Sequence, residues 1–302
     1  MAKERRSLSG RVVAITGGAR GIGKATAAAL VRKGCRVAIG DLDLELAEQA
    51  AGSLGGGVLA LQLDVTDRSS FAAFVDEAER QLGPIDILVN NAGIMPVTRF
   101  VDEADESIRR QLDINLYGVI VGSQLAVERM QRRGSGHIVN VASSAGKVGV
   151  PGIATYVATK HAVVGLSEAL RQELRGSGVD VSLVMPVLVN TALTEGLSSK
   201  RGVKEVQPED VANEIVNALE LNRFDVFVPR SLQATLIMGA MLPRRAREAV
   251  SRLMGVNEVM AISDPGSRRS YEERAAASRS GEGGPASAEG GSEPAPAQRD
   301  AA

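Results

Sequence analysis

Val12-Val13-Ala14-Ile15-Thr16-Gly17-Gly18-Ala19-Arg20-Gly21-Ile22-Gly23 is the stretch on which the fold turns. Four consecutive apolar residues read as a buried strand. Thr16 and glycines at 17, 21 and 23 follow directly, and Lys24 to Lys33 has a helical pattern. A glycine turn between a strand and a helix lets the backbone approach a pyrophosphate. The helix N-terminus adds unpaired N–H groups and a favourable dipole. Gly17, Arg20, Gly21, Ile22 and Gly23 are therefore candidate dinucleotide-binding residues. The competing interpretation, a tight turn that binds nothing, loses weight with the acid that comes next.

Arg36 to Gly40 forms a second apolar run and ends at Asp41. A carboxylate at the end of a second strand can accept hydrogen bonds from an adenosine ribose and would repel a 2′-phosphate. Leu42 and Asp43 bring no cation to offset that repulsion, so the expected cofactor is NAD. Arg20 argues mildly for NADP, which stands as the alternative.

Strand and helix patterns then alternate along the chain. Val58 to Leu63 is a strand leading to Asp64 and Val65, where the Asp64 carboxylate could meet an adenine amino group. Ser69 to Leu82 is helical, and Ile85 to Val89 is a strand running into Asn90-Asn91-Ala92-Gly93. Asn91, Ala92 and Gly93 are expected to line the cofactor cleft. Glu103 to Arg132 reads as one long helix containing Asn115. Strands at His137 to Val141, Val179 to Val184 and Phe224 to Val228 complete the set, with helices at Ala154 to Arg175 and Pro208 to Leu221. Such alternation predicts a single α/β domain with a doubly wound parallel sheet of about seven strands and helices on both faces. Ligands should bind at the carboxyl ends of the strands.

Chemistry points to Tyr156-Val157-Ala158-Thr159-Lys160, with Ser143 upstream. Residues four apart on a helix share a face, so Tyr156 and Lys160 should enter the same cleft. A phenol titrates near ~10 in water. An ammonium a few ångström away is expected to favour the phenolate. Ser143 could hydrogen-bond the substrate oxygen that the phenol protonates or deprotonates.

These motifs resemble the classical short-chain dehydrogenases/reductases from about Gly10 to Val228. The resemblance rests on the Thr-Gly-x-x-x-Gly-x-Gly turn, Asn-Asn-Ala-Gly, the serine and Tyr-x-x-x-Lys, all in order. It implies a Rossmann-like fold and hydride transfer between a nicotinamide and a carbinol or carbonyl carbon. By the same resemblance Tyr156 is the general acid/base and Ser143, rather than Ser144, positions the substrate oxygen. Lys160 would lower the Tyr156 pKa and hold the nicotinamide ribose, and Asn115 would hold the water through which the proton leaves. Pro186, Val189 and Thr191 fit the family's carboxamide-binding segment. Val187 stands where the family usually has glycine; since a β-branched residue rarely takes a positive φ, a reshaped loop is expected. In the family the resemblance points to, helices such as Glu103–Arg132 and Ala154–Arg175 are the usual subunit contacts, so the resemblance implies a homodimer or homotetramer.

The chain has 302 residues, a formal net charge of −1 and one cysteine, Cys35. This composition gives no reason to expect nucleic acid and excludes an intramolecular disulfide. No metal site is expected. Met1 to Arg11 is charged without an apolar core, so no signal peptide is expected, and no run approaches the ~20 apolar residues of a spanning helix. The protein is expected to be cytoplasmic. The domain should extend over residues 1–262, including an apolar helical segment at 231–255. Residues 232–254 would dock on a partner or the cleft, with peripheral membrane contact as the lesser alternative. Residues 263–302 are rich in Gly, Pro, Ser and charge and are expected to be a disordered tail without chemistry.

Ile94, Met95, Val148, Val150, Pro151 and Leu193 are expected around the substrate side of the cleft, with no arginine placed to grip an anion. They point to a lipophilic alcohol or carbonyl: steroid-like, retinoid-like or a fatty alcohol. The alternatives are a non-catalytic NAD(H)-binding sensor or scaffold, and an epimerase or dehydratase. The intact set Asn115, Ser143, Tyr156 and Lys160 argues against the first, and the little chain left for a substrate domain argues against the second.

Overall fold

The computed structural model describes residues 5–194 and 206–234, and beyond them Met238, Pro243, Arg245, Ala246, Ala249, Arg268, Tyr271 and Glu273. Seven strands form one parallel sheet: β1 (Val12–Thr16), β2 (Arg36–Asp41), β3 (Leu59–Gln62), β4 (Ile87–Asn90), β5 (Gly136–Val141), β6 (Val179–Pro186) and β7 (Asp225–Val228). Their spatial order is β3-β2-β1-β4-β5-β6-β7. Strand order reverses between β1 and β4, which pair in parallel through Val13 and Ile87, Ala14 and Leu88, and Ile15 and Val89. A crevice opens at the carboxyl ends of strands at such a reversal.

The strands read as continuous apolar runs because both faces of the sheet are covered. Alternate residues of β1 serve opposite cores. Val13 and Ile15 join the cluster that includes Ala27 and Leu30 of helix α1 (Gly21–Arg32), Ala47 and Ala50 of α2 (Leu44–Leu54), and Ile215 and Leu219 of α7 (Pro208–Leu221). Val12 and Ala14 join the opposite cluster with Phe71 and Phe74 of α3 (Arg68–Leu82) and Val121 and Leu125 of α5 (Gly118–Arg133). Val163 and Val164 of α6 (Ala154–Glu173) pack in a further cluster with Leu183 and Met185 of β6.

Helix starts follow local chemistry. The Asp43 carboxylate accepts from Leu46 N and Asp67 accepts from Ser69 N. Gln207 and Asp210 form a reciprocal capping box with Pro208 inside the first turn, satisfying N–H groups that a helix start leaves unpaired.

One element departs from expectation. The single helix anticipated from Glu103 to Arg132 is α4 (Asp105–Leu112), a π turn at Asp113–Tyr117, and α5. Asn115 sits inside that π turn. Such turns insert one residue without ending the helix, so hydrophobic periodicity barely registers them.

Only parts of the 231–255 segment belong to the described residues; Ser231 to Ala234 are helical and Met238 is exposed. Most of the 263–302 tail lies outside them as well. Arg268 and Tyr271 do not fit the expectation of a tail without contacts: both are helical and buried. An aromatic ring and a guanidinium with backbone carbonyls in reach can pack even from a segment of low mean hydropathy. Among the described residues no helix is long and apolar enough to cross a membrane.

Candidate active site

The glycine turn sits where the sequence places it, between β1 and α1. Gly17 has φ +62°, and a Cβ there would lie 2.9 Å from Ala92 Cα, so a side chain would be both strained and crowded. Gly23 tolerates no Cβ for a different reason: one would lie 2.1 Å from the Gly17 carbonyl oxygen. Gly18 belongs with them, since a Cβ there would stand 2.5 Å from the Ile39 side chain. The doubled glycine was its only signal in the sequence. Arg20 occupies the N-cap position of α1 with an exposed side chain that makes no capping bond, and Ile22 is half-buried.

Asparagines and a threonine lock the turn to β4. Thr16 Oγ1 accepts from the backbone N–H groups of Asn91 and Ala92, each at 3.0 Å. Asn91 Nδ2 donates back to the carbonyls of Thr16 and Gly17. Beneath it, Asn90 Nδ2 donates to Asn140 Oδ1 at 2.9 Å and to Ser123 Oγ at 3.2 Å. Thr16, Asn90, Ser123 and Asn140 escaped the sequence reading as site residues, because polar side chains inside strands and helices become informative only once their partners are known.

At the end of β2, Asp41 Oδ2 accepts from Ala19 N at 3.1 Å, which fixes the carboxylate beside the glycine turn. Asp64 is half-buried, and its Oδ1 accepts from the N–H and hydroxyl of Thr66. Val65 is buried next to it. The glycine cradle, the Asp41 carboxylate and the Asn91-Ala92-Gly93 strand end thus converge on the β1–β4 crevice, and they fit a dinucleotide. Gly17, Arg20, Gly21, Ile22, Asp41, Asp64, Val65, Asn91, Ala92 and Gly93 are the residues that would hold one there.

The candidate proton-handling residues lie after β5 and on α6. Ser143 follows β5 and its Oγ accepts from Ala145 N at 3.1 Å. Tyr156 and Lys160 lie on α6 and are both buried. Lys160 Nζ donates to the Val141 carbonyl at 3.0 Å and stands 5.6 Å from the Tyr156 ring centre.

Burial decides their titration, and here the expectation is corrected. Desolvation pushes the Tyr156 phenol up to about 12, opposed only by its hydrogen bond with Ser143. Desolvation also brings Lys160 down to about 8. The anticipated lowering of Tyr156 by the lysine does not appear, since Nζ is directed at a backbone carbonyl and both groups are removed from water. At neutral pH the phenol is a proton donor and the lysine remains charged. For carbonyl reduction, kcat/KM should therefore be flat near neutrality and fall above about pH 8 as Lys160 deprotonates, with Tyr156 still protonated. Lys160→Arg should move that alkaline limb upward. A limb that stays in place in the variant would assign it to another group.

Asn115 is fully buried. Its Oδ1 accepts from Ile94 N at 2.8 Å, while Nδ2 donates to Ile94 O at 2.9 Å and Thr159 Oγ1 at 3.3 Å. Both amide hydrogens are engaged in tying the 91–95 segment to α6. The side chain therefore braces the site, and its amide hydrogens are not available to the water expected at this position.

After β6, Val187 takes no positive φ, and its N–H bonds Val228 O at 3.0 Å, continuing the β6–β7 ladder. The segment then forms a bridge between Val189 and Val206, while Thr191 Oγ1 donates to Val189 O. A β-branched residue favours this extended path. Pro186 ends β6 and is buried, as is Val189, and Thr191 is half-buried.

Met95, Ala145, Ile153 and Tyr156 share one apolar cluster, joined by Val97, Val150, Val157, Leu188 and Leu193. Of the expected cleft residues, Met95, Val150 and Leu193 belong to it. Ile94 packs in the α3–α5 core instead, and Pro151 is exposed. Among the described residues no group of three His, Cys, Asp or Glu side chains could hold a metal ion.

The short chain dehydrogenase family matches residues 11–202. The chain is 31% identical over 260 residues to 17-beta-hydroxysteroid dehydrogenase 13 of Rattus norvegicus, covering 84% of this chain and 86% of that protein. It is 39% identical over 194 residues to a sorbitol dehydrogenase of Cereibacter sphaeroides, covering 64% and 76% respectively. A short chain dehydrogenase/reductase from Burkholderia phymatum, solved in complex with NAD, superposes with a TM-score of 0.71 at 26% identity, over 76% of this chain and 93% of that one.

Proposed function

This chain belongs to the short-chain dehydrogenase family, and from that premise we propose that it interconverts a lipophilic secondary or primary alcohol and the matching ketone or aldehyde, with NAD as the preferred cofactor. The observation that carries this reading is the convergence of Ser143, Tyr156 and Lys160: the phenol hydrogen-bonds Ser143 and Lys160 Nζ stands 5.6 Å from its ring centre. A bound nicotinamide dinucleotide would supply the hydride acceptor or donor. Tyr156 gives a proton to the substrate oxygen in reduction and takes one in oxidation. Ser143 holds that oxygen by a hydrogen bond. Lys160 keeps a buried positive charge 5.6 Å from the Tyr156 ring centre, placed to hold the nicotinamide ribose. Asn115 fixes the 91–95 segment.

Two features support NAD over NADP: the Asp41 carboxylate anchored on Ala19 N, and the exposed, outward position of Arg20. The steroid-named relative and the apolar residues around Tyr156 support a lipophilic substrate. The polyol-named relative makes small hydroxylated alcohols the control. Exposed Leu112 and Tyr117 on the α4–α5 face would suit a homo-oligomer contact.

Initial rates on a panel of steroid, retinoid, fatty and polyol alcohols, each with NAD and with NADP, test the proposal. NADH formation from the lipophilic members is the expected result, and Asp41→Ser should shift the preference toward NADP. Faster turnover of sorbitol-like polyols, or an NADP preference in the unaltered protein, would overturn the substrate or the cofactor assignment respectively. Tight NADH binding with no turnover across the panel would favour the non-catalytic sensor.

A further inference from the structure

Arg268 and Tyr271 lie far along the chain from the crevice, yet they are 3% and 7% exposed and sit against it. Arg268 Nη2 donates to the Met95 carbonyl at 2.9 Å, and Nη1 donates to the Leu193 carbonyl at 3.3 Å. The Met95 N–H donates to Tyr271 Oη at 2.7 Å. The guanidinium stands 5.0 Å from the centre of the Tyr271 ring, within cation–π range.

Met95 follows β4 and Leu193 follows β6. Both side chains belong to the apolar cluster around Tyr156. One guanidinium therefore ties together the loops that follow β4 and β6, both of which border the apolar cluster around Tyr156. A planar fork suits such a bridge, because it presents separate N–H groups to two carbonyls. Lysine offers a point charge and cannot hold the same two-sided geometry.

We propose that Arg268 and Tyr271 are specificity-determining residues that set the width of the substrate cleft by stapling the Met95 and Leu193 rims. The proposal rests on the dehydrogenase reading above. It accounts for a buried arginine beside a cleft whose other residues are apolar. The cation serves the protein's own carbonyls, so it sizes an uncharged substrate instead of gripping an anionic one.

The test compares the unaltered protein with Arg268→Lys, Tyr271→Phe and the double variant, all of which conserve bulk. Each is assayed with NAD on a series from 2-butanol through cyclohexanol to a steroid alcohol. NADH affinity and amide hydrogen exchange at Met95 are measured in parallel. Loosening the rims should raise the ratio of kcat/KM for the steroid over 2-butanol by about tenfold, a size typical of pocket-fit effects. The change should fall mainly on KM, with NADH affinity unchanged, a split that general destabilisation would not give. Met95 N–H should also lose protection in Tyr271→Phe. An unchanged selectivity ratio in variants that turn over would overturn the proposal. Should the unaltered protein turn over nothing, the dehydrogenase reading fails separately; exchange at Met95 then decides the staple, supported by lost protection and overturned by its persistence.

Discussion

Tyr156→Phe should reduce turnover by ~10²–10⁴-fold, the range general acid–base catalysis supplies, while NADH affinity stays nearly unchanged. The substitution keeps the ring that packs with Met95, Ala145 and Ile153. It removes the hydroxyl and the hydrogen bond with Ser143, a loss of about 1 kcal/mol for an ordinary hydrogen bond. The fold should survive, and the activity should not. Lys160→Ala makes the contrasting case. It removes a buried cation together with its bond to Val141 O, so both turnover and NADH affinity should fall. Steady-state rates beside NADH fluorescence titrations separate the two patterns. Full activity in Tyr156→Phe would move the proton transfer to another group.

Gly23→Ala should be nearly as damaging, through geometry instead of proton chemistry. The added Cβ would lie 2.1 Å from Gly17 O and 2.7 Å from Asn91 Nδ2. The first of these is a backbone atom and cannot swing aside, so the turn itself must move. That movement would break the bonds from Asn91 Nδ2 to the Thr16 and Gly17 carbonyls and carry the cradle away from its shape. Overpacking of this kind costs about 1–3 kcal/mol, and NADH affinity should fall at least about tenfold, equivalent to ~1.4 kcal/mol. Gly165→Ala is the matched control. Gly165 is exposed within α6 and a Cβ there meets nothing within 4 Å. Replacing it should stabilise the helix by roughly 0.5–1 kcal/mol. Melting temperatures and NADH titrations on both variants check the pair; equal NADH affinity in Gly23→Ala would show that the turn does not shape the cofactor site.

Much of the fold was legible because buried parallel strands and capped helices write themselves locally. Val12 to Thr16 and Arg36 to Asp41 are recognisable from unbroken apolar character, and Gln207-Pro208-Glu209-Asp210 announces α7 before its core residues appear. The grouping of Ser143, Tyr156 and Lys160 was equally legible, since each residue lies at the end of a strand or on one face of one helix. Short-range rules place such residues without knowledge of the rest of the chain. The π turn around Asn115 was not legible, because one inserted residue leaves the apolar pattern almost intact.

By itself, then, the sequence determined the order of strands and helices, the glycine turn and the residues proposed to handle the proton. Tertiary structure alone decided their electrostatics and their enclosure. The i, i+4 spacing puts Lys160 near Tyr156, but the sign of the Tyr156 shift depends on how completely the phenol is buried, and desolvation outweighs the hydrogen bond with Ser143. The contacts of Arg268 and Tyr271 with Met95 span 173 and 176 residues. No local periodicity records a partner at that distance, because hydrogen bonds of this kind depend on where the chain returns in space and leave no pattern in neighbouring residues.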